Sequence, residues 1–381
     1  MRVLFSAPPS TGHLLPALPT LQALRAAGHE VLLAAYGGDL TVYLGLGLSV
    51  VDVGDGTALS EMYERHAPGA RFASPGRTPE AVFAAPALAN AALSRRTLTS
   101  LLAVANNWAP DLLMYDPFQG AIPLVSAVTG IPAVEHQSGI VGGRMLSRLI
   151  AGHLRDLYDR HGLGAPPRAV SIEVVPPSLR ESEDHTLSVR GISPHGSAVL
   201  PLGMTAAGPG KRIVISFGTV LGAEARDARL AALSPVLAAA DAEFLLPAAE
   251  DADPRRVGDL PGNVRLLPWA PLIELLRHSD GIIHHGGAGT FMSAVAAGVP
   301  QLIVPHAADQ YLNARVAEQH GFGRHVASID DIDNAVIARL LTDDRLRAGA
   351  ARIQAENDLQ PPPSALVAPL EQWSRSGVVE R

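Results

Sequence analysis

The clearest feature of the chain is a series of short, nearly continuous apolar runs, each stopped by glycine, proline or a charged residue. Residues 2–7 (RVLFSA) end at Pro8-Pro9, as a buried parallel strand ending in a loop would. Apolar residues at helical spacing follow from Leu14 to Ala27 and stop at Gly28, and a second strand is predicted from Glu30 to Ala35. The series restarts at Arg212, where RIVISFGT reads as a strand, LAALSPVLAAADA as a helix and EFLLPA as a strand. Further strands are predicted over 110–116, 131–136, 263–269, 280–285 and 300–305, most of them followed by helical stretches. Residues 54–92 are rich in Pro, Gly and Ala with weak periodicity. Residues 188–210 have the Gly, Pro and Ser content of a linker, and a domain boundary is expected there.

The expected fold is therefore α/β, with two Rossmann-like domains whose parallel sheets face a central cleft. Ligands in such sheets bind beyond the carboxyl ends of the strands. At 381 residues the chain exceeds the usual size of one core. Its 47% hydrophobic and 18% charged residues suit two packed domains. A formal net charge of −7 without a basic run argues against nucleic acid as a partner. No apolar run is long enough to span a bilayer and the N-terminus is too short for a signal peptide, so a cytoplasmic location is expected. With no cysteine, disulfides, thiolate chemistry and cysteine-built zinc sites are excluded.

The segment 280–290 (DGIIHHGGAGT) runs from a strand through glycines into a helix. Glycines admit a close backbone approach and a helix N-terminus offers unpaired N–H groups, so the stretch suits an anion such as a diphosphate. An ordinary tight turn has the same glycine content. Thr290 and Ser293 are candidate hydroxyl donors, and His284 or His285 a candidate ring donor. Trp269 in PWAP could face a nucleobase or lie in a core. Asp309 and Gln310 end a strand and could meet sugar hydroxyls, or cap the helix over 311–319.

In the first half, His13 follows the first strand at the start of a helix, where the positive dipole end favours a neutral imidazole. It is either a general base or a plain helix-start residue. Asp116 ends its strand and could orient that ring, or cap the next helix. Glu135 and His136 end another strand and could reach a ligand or form a buried pair; with Phe118 they are the acceptor-side candidates. Two D-x-D strings, Asp251–Asp253 and Asp331–Asp333, are the pairs available to a divalent cation. Neither follows the glycine loop, and the second reads as the acidic start of a surface helix.

The ordered set PWAPL, HHGGAGT, AGVPQLIVP and AADQYLNA, between about Val264 and Gly323, resembles the donor signature of GT-B glycosyltransferases that decorate antibiotics and plant secondary metabolites. The chain is most similar to the bacterial enzymes of macrolide, enediyne and polyketide scaffolds. The resemblance implies an N-terminal acceptor domain over 1–200, a C-terminal nucleotide-sugar domain over 201–365, and a helix within 366–381 crossing back to the first domain. It implies that Trp269 stacks near the base, that His285 and Gly287, Ala288, Gly289 and Thr290 hold the diphosphate, that Gly218 and Thr219 lie beside it, and that Asp309 and Gln310 face the sugar. It makes His13 the base and Asp116 its partner, with inversion at the anomeric carbon. Plant members carry a ribose-binding Glu where this sequence has Ser293, a departure easier to reconcile with a dTDP-sugar than a UDP-sugar. A small hydrophobic, hydroxylated aglycone is the implied acceptor, with no cofactor and no metal; monomer and homodimer both stay open. A nucleotide-sugar epimerase and a non-catalytic auxiliary protein are the competing readings. A dehydrogenase is disfavoured because the first loop lacks G-x-G-x-x-G.

Overall fold

The computed structural model describes residues 1–37, 40–68, 78–164, 169–180, 186–192, 200, 204, 210–218, 223–247, 260–307 and 309–377. The chain forms two compact units, Met1–Gly191 with Gln360–Arg381, and Ile192–Leu359.

In the first unit, β1 (Arg2–Ser6), β2 (Glu30–Ala35), β3 (Ser49–Asp52), β4 (Leu112–Tyr115), β5 (Ala133–His136), β6 (Val170–Glu173) and β7 (Thr186–Ser188) make a sheet. Their order is β3-β2-β1-β4-β5-β6-β7, and every pairing is parallel. Strand order reverses between β1 and β4, which makes that gap the switch point where such sheets bind ligands. The stretch predicted as one helix from Leu14 is split into Thr11–Leu14, a 3-10 turn Leu15–Ala17 and a helix Leu18–Ala26. The cause is Pro16 and Pro19, which lack the N–H a continuous helix needs. The weakly periodic stretch 54–92 contains two helices, Leu59–His66 and the start of Pro79–Trp108, while residues 69–77 lie outside the described residues. Alanines cover many sides of the longer helix and it packs into the core through Phe83, Ala87, Ala91 and Leu98, so no narrow apolar stripe marks it in the sequence.

Residues from Gln360 onward belong to this unit. In the helix Val367–Ser376, the Trp373 indole N–H donates to the Ala133 carbonyl at the start of β5 (3.1 Å), and Glu371 meets His29 at 3.0 Å.

In the second unit, β8 (Arg212–Ser216), β9 (Glu243–Pro247), β10 (Val264–Leu267), β11 (Gly281–His284), β12 (Gln301–Ile303) and β13 (Gly323–His325) are ordered β10-β9-β8-β11-β12-β13, again all parallel. Side chains alternate between faces. Ile213, Ile215, Phe244, Leu246 and Ile283 join one core, and Val214, Leu245 and Ile282 the opposite one, so the sheet is covered on both sides. The helix after β8 runs Ala223–Ala239 and includes Pro235, beginning well before Leu230 where the sequence pattern placed it. The switch point here lies between β8 and β11.

Candidate functional site

Each switch point gathers a cluster of polar groups. At the first, Asp116 directly follows β4 and donates its backbone N–H to Ser6 at the end of β1 (3.1 Å). Its Oδ2 lies 3.0 Å from His13 Nδ1, and its Oδ1 accepts the Phe118 N–H (2.9 Å). The Asp116 side chain is 1% exposed and that of His13 27%, so only the imidazole is open to a ligand. The Phe118 ring stands edge-on to the His13 ring at 4.9 Å. Gln119, fully buried, ties this turn down: its Nε2 donates to Ser6 Oγ (3.0 Å) and its Oε1 accepts from the Ala121 N–H (3.1 Å).

Glu135 and His136 are turned inward. His136 is 1% exposed, with Nδ1 at 2.9 Å from the Gln137 carbonyl and Nε2 at 3.1 Å from Thr20 Oγ1. Burial pushes its pKa down to about 4, against smaller opposing effects of the Gln137 carbonyl and Asp116. Glu135 accepts from Gln137 Nε2 (2.7 Å) and from the Ser147 hydroxyl. A Cβ at Gly143 would collide with both Gln137 and Glu135. Of the three acceptor-side candidates, only Phe118 touches the dyad; Glu135 and His136 serve the interior, because both ring nitrogens and both carboxylate oxygens already have partners.

At the second switch point the two adjacent histidines divide their tasks. His284, 1% exposed, accepts the Gly286 N–H on Nδ1 (3.0 Å), which leaves the proton on Nε2 to donate to Gln301 Oε1 (2.9 Å). Burial and then its neighbour His285 press its pKa down to about 3. His284 is therefore a neutral pin for the turn. Gly286 has φ +91°, a conformation that favours glycine, and its carbonyl accepts from Asn313 Nδ2 (2.7 Å).

His285 packs on Gly218 of the loop after β8; a Cβ there would come within 2.6 Å of the ring, and one on Gly287 would also strike it. Among the described residues its buried Nδ1 has no hydrogen-bond partner. Its pKa falls to about 4, first through burial, then through His306, with the Ser216 carbonyl opposing and Arg229 adding to the fall. Gly287 caps the helix Ala288–Ala297 with no side chain, so the N–H groups of Ala288, Gly289 and Thr290 receive no side-chain cap from it. The Ser293 hydroxyl, by contrast, is buried and donates to Gly289 O (2.7 Å), so it is not the ligand donor that the sequence offered.

Trp269 is half-buried just beyond β10 and is not part of the two core clusters described above for this sheet. Asp309 precedes the helix Gln310–Gln319 but makes no side-chain cap; its Oδ2 accepts from Asn313 Nδ2 (3.1 Å). Gln310 turns back, its Oε1 accepting the N–H groups of His306 (2.9 Å) and Ala307 (3.1 Å), so only its amide nitrogen can meet a ligand. Asn313, which bridges Asp309 to the glycine turn, escaped the sequence reading; its signal was the i,i+4 spacing from Asp309. Thr219 and the string Asp251–Asp253 lie outside the described residues. Asp331 and Asp333 act as helix caps, Asp333 Oδ1 accepting the Val336 N–H (2.8 Å). Among the described residues, no group of three or more His, Cys, Asp or Glu is placed to hold a metal, and no helix is long and apolar enough to cross a membrane.

Residues 22–218 match the family model for the erythromycin biosynthesis protein CIII-like N-terminal domain, and residues 232–373 match the model for the corresponding C-terminal domain. The chain is 36% identical to the elloramycin glycosyltransferase ElmGT of Streptomyces olivaceus over 97% of both chains. It is a glycosyltransferase of the erythromycin biosynthesis protein CIII-like family. The glycosyltransferase superimposes on SnogD from Streptomyces nogalater with a TM-score of 0.83 at 33% identity, covering 98% of this chain and 99% of that one. The Streptomyces sp. SF2575 glycosyltransferase SsfS6, solved with thymidine diphosphate, gives a TM-score of 0.83 at 28% identity, covering 98% and 99%. These neighbours make the two parallel-sheet units those of a GT-B enzyme.

Proposed function

We propose that this glycosyltransferase moves a deoxysugar from a dTDP-linked donor to a hydroxyl of a small, apolar natural-product aglycone, with inversion at the anomeric carbon. The observation that carries the reading is the hydrogen-bonded His13–Asp116 pair, its imidazole open to solvent at a switch point. Asp116 holds Nδ1–H of His13, so Nε2 is the nitrogen that takes the acceptor's proton as its oxygen attacks. The contact of Phe118 with the imidazole supports an apolar acceptor on that side.

In the second unit, the N–H groups of Ala288 to Thr290, the helix dipole and His285 receive the departing diphosphate, with Gly218 and Gly287 beside it. Trp269 faces the base, and Asp309 and the amide nitrogen of Gln310 meet the sugar. Ser293 stands where plant relatives carry a ribose-binding Glu, and its buried hydroxyl donates to the Gly289 carbonyl, which supports a thymidine over a uridine nucleotide. The thymidine diphosphate complex of SsfS6 supports the same choice. Charge neutralisation by groups of the protein itself needs no divalent cation, and turnover is expected to persist in EDTA.

The test is incubation with a panel of dTDP- and UDP-sugars and polyketide or macrolide aglycones, read by mass spectrometry, alongside dissociation constants for TDP and UDP. Transfer from a dTDP-sugar with tighter TDP binding is expected. Clearly tighter UDP binding would refute the donor assignment, and strict metal dependence would refute the mechanism.

A further inference from the structure

Two histidines beyond neighbouring strand ends and an arginine from the helix after β8 form a row beside the glycine loop. Arg229, in the helix Ala223–Ala239 that follows β8, holds its guanidinium 5.9 Å above the Phe217 ring and places Nη1 3.5 Å from Nδ1 of His306, beyond β12. The His306 ring stands 5.9 Å from that of His285, beyond β11, and His285 rests on Gly218 and Gly287.

No carboxylate among the described residues is within ion-pair range of Arg229, although its guanidinium is partly withdrawn from water. Burial presses Arg229, His306 and His285 towards their neutral forms, and the Arg229 charge adds to the fall at both histidines. A partly desolvated guanidinium gives up some of its hydration, and a ligand anion would offset that loss. His285 is uncharged near neutral pH and contributes a hydrogen bond without a charge. A helix N-terminus adds only about half an elementary charge. A nucleoside diphosphate in this turn therefore calls for a permanent cation, and Arg229 is the guanidinium joined to His285 through His306.

We propose that Arg229, buttressed by His306, is a further donor-binding residue that supplies the permanent positive charge of the diphosphate site. The proposal rests on the reading of the glycine turn as that site. The same charge would stabilise the diphosphate most as it leaves, when the bond to the anomeric carbon breaks and negative charge grows on its oxygen.

The experiment measures dissociation constants of TDP and of thymidine for the wild type, Arg229→Gln, Arg229→Lys and His285→Ala, with thermal unfolding of each. Arg229→Gln is expected to weaken TDP by about tenfold to a hundredfold, the range of a charge-assisted contact, with thymidine binding and the unfolding midpoint unchanged. Arg229→Lys should recover much of the loss. Equal losses of TDP and thymidine, a large fall in the unfolding midpoint, or no change in TDP binding would each overturn the role of Arg229. If His285→Ala weakens TDP while Arg229→Gln does not, the glycine turn keeps its assignment and the arginine alone loses it. If neither variant affects TDP, both readings fall.

Discussion

Nδ1 of His13 and Oδ2 of Asp116 lie 3.0 Å apart, although 103 residues separate them in sequence. Adjacency of β1 and β4 at the switch point brings them together, and Gln119 binds the Asp116 turn to Ser6 behind them. The carboxylate is buried, whereas the ring is partly exposed.

Replacing Asp116 by Asn should leave the fold and nucleotide affinity in place but present the wrong imidazole tautomer. By analogy with a triad carboxylate, kcat should fall by about three to four orders of magnitude. Steady-state kinetics with a turned-over acceptor checks this; a loss under about tenfold would remove Asp116 from the mechanism.

Gly287 has an ordinary φ of −62°, so alanine there costs no backbone strain. Its Cβ would nonetheless strike the His285 ring. Gly287→Ala should therefore weaken TDP by about tenfold or more with little change in stability. Titration calorimetry and thermal unfolding together read both effects, and unchanged TDP affinity would show that the ring position is irrelevant to the nucleotide.

His136 and His284 are buried as neutral rings, with pKa values pressed from 6.5 down to about 4 and about 3. The unfolded chain binds protons that the folded chain refuses, so their contribution is fully present above pH 6.5 and is lost as pH falls towards the folded values. Each should cost about 2 kcal/mol of stability between roughly pH 6.5 and 5. The unfolding midpoint should thus drop on acidification, and His136→Gln should flatten the slope. An identical slope in that variant would place the sensitivity elsewhere.

The central strands were legible because each is a buried parallel run dense in Val, Ile and Leu, and their ends therefore located His13, Asp116 and the glycine turn. The edge strands β7 and β13 have three residues each, TLS and GRH, too few for any period to show. Arg229 escaped notice because its helix begins upstream of the apolar pattern that announces it. The division of labour between His284 and His285 was not legible either: the two are adjacent in sequence, and as the strand ends one ring turns to Gln301 and the other to Gly218. Ser293 reads as a ligand donor in one dimension, yet helix geometry spends its hydroxyl on the carbonyl four residues back.

The most direct test of the central claim, that one unit supplies the base and the other holds the nucleotide, is a paired measurement on His13→Ala. Single-turnover transfer should fall by at least about a hundredfold, while the dissociation constant for TDP stays within about twofold of the wild type. Transfer at a comparable rate, or joint loss of transfer and TDP binding, would contradict the account.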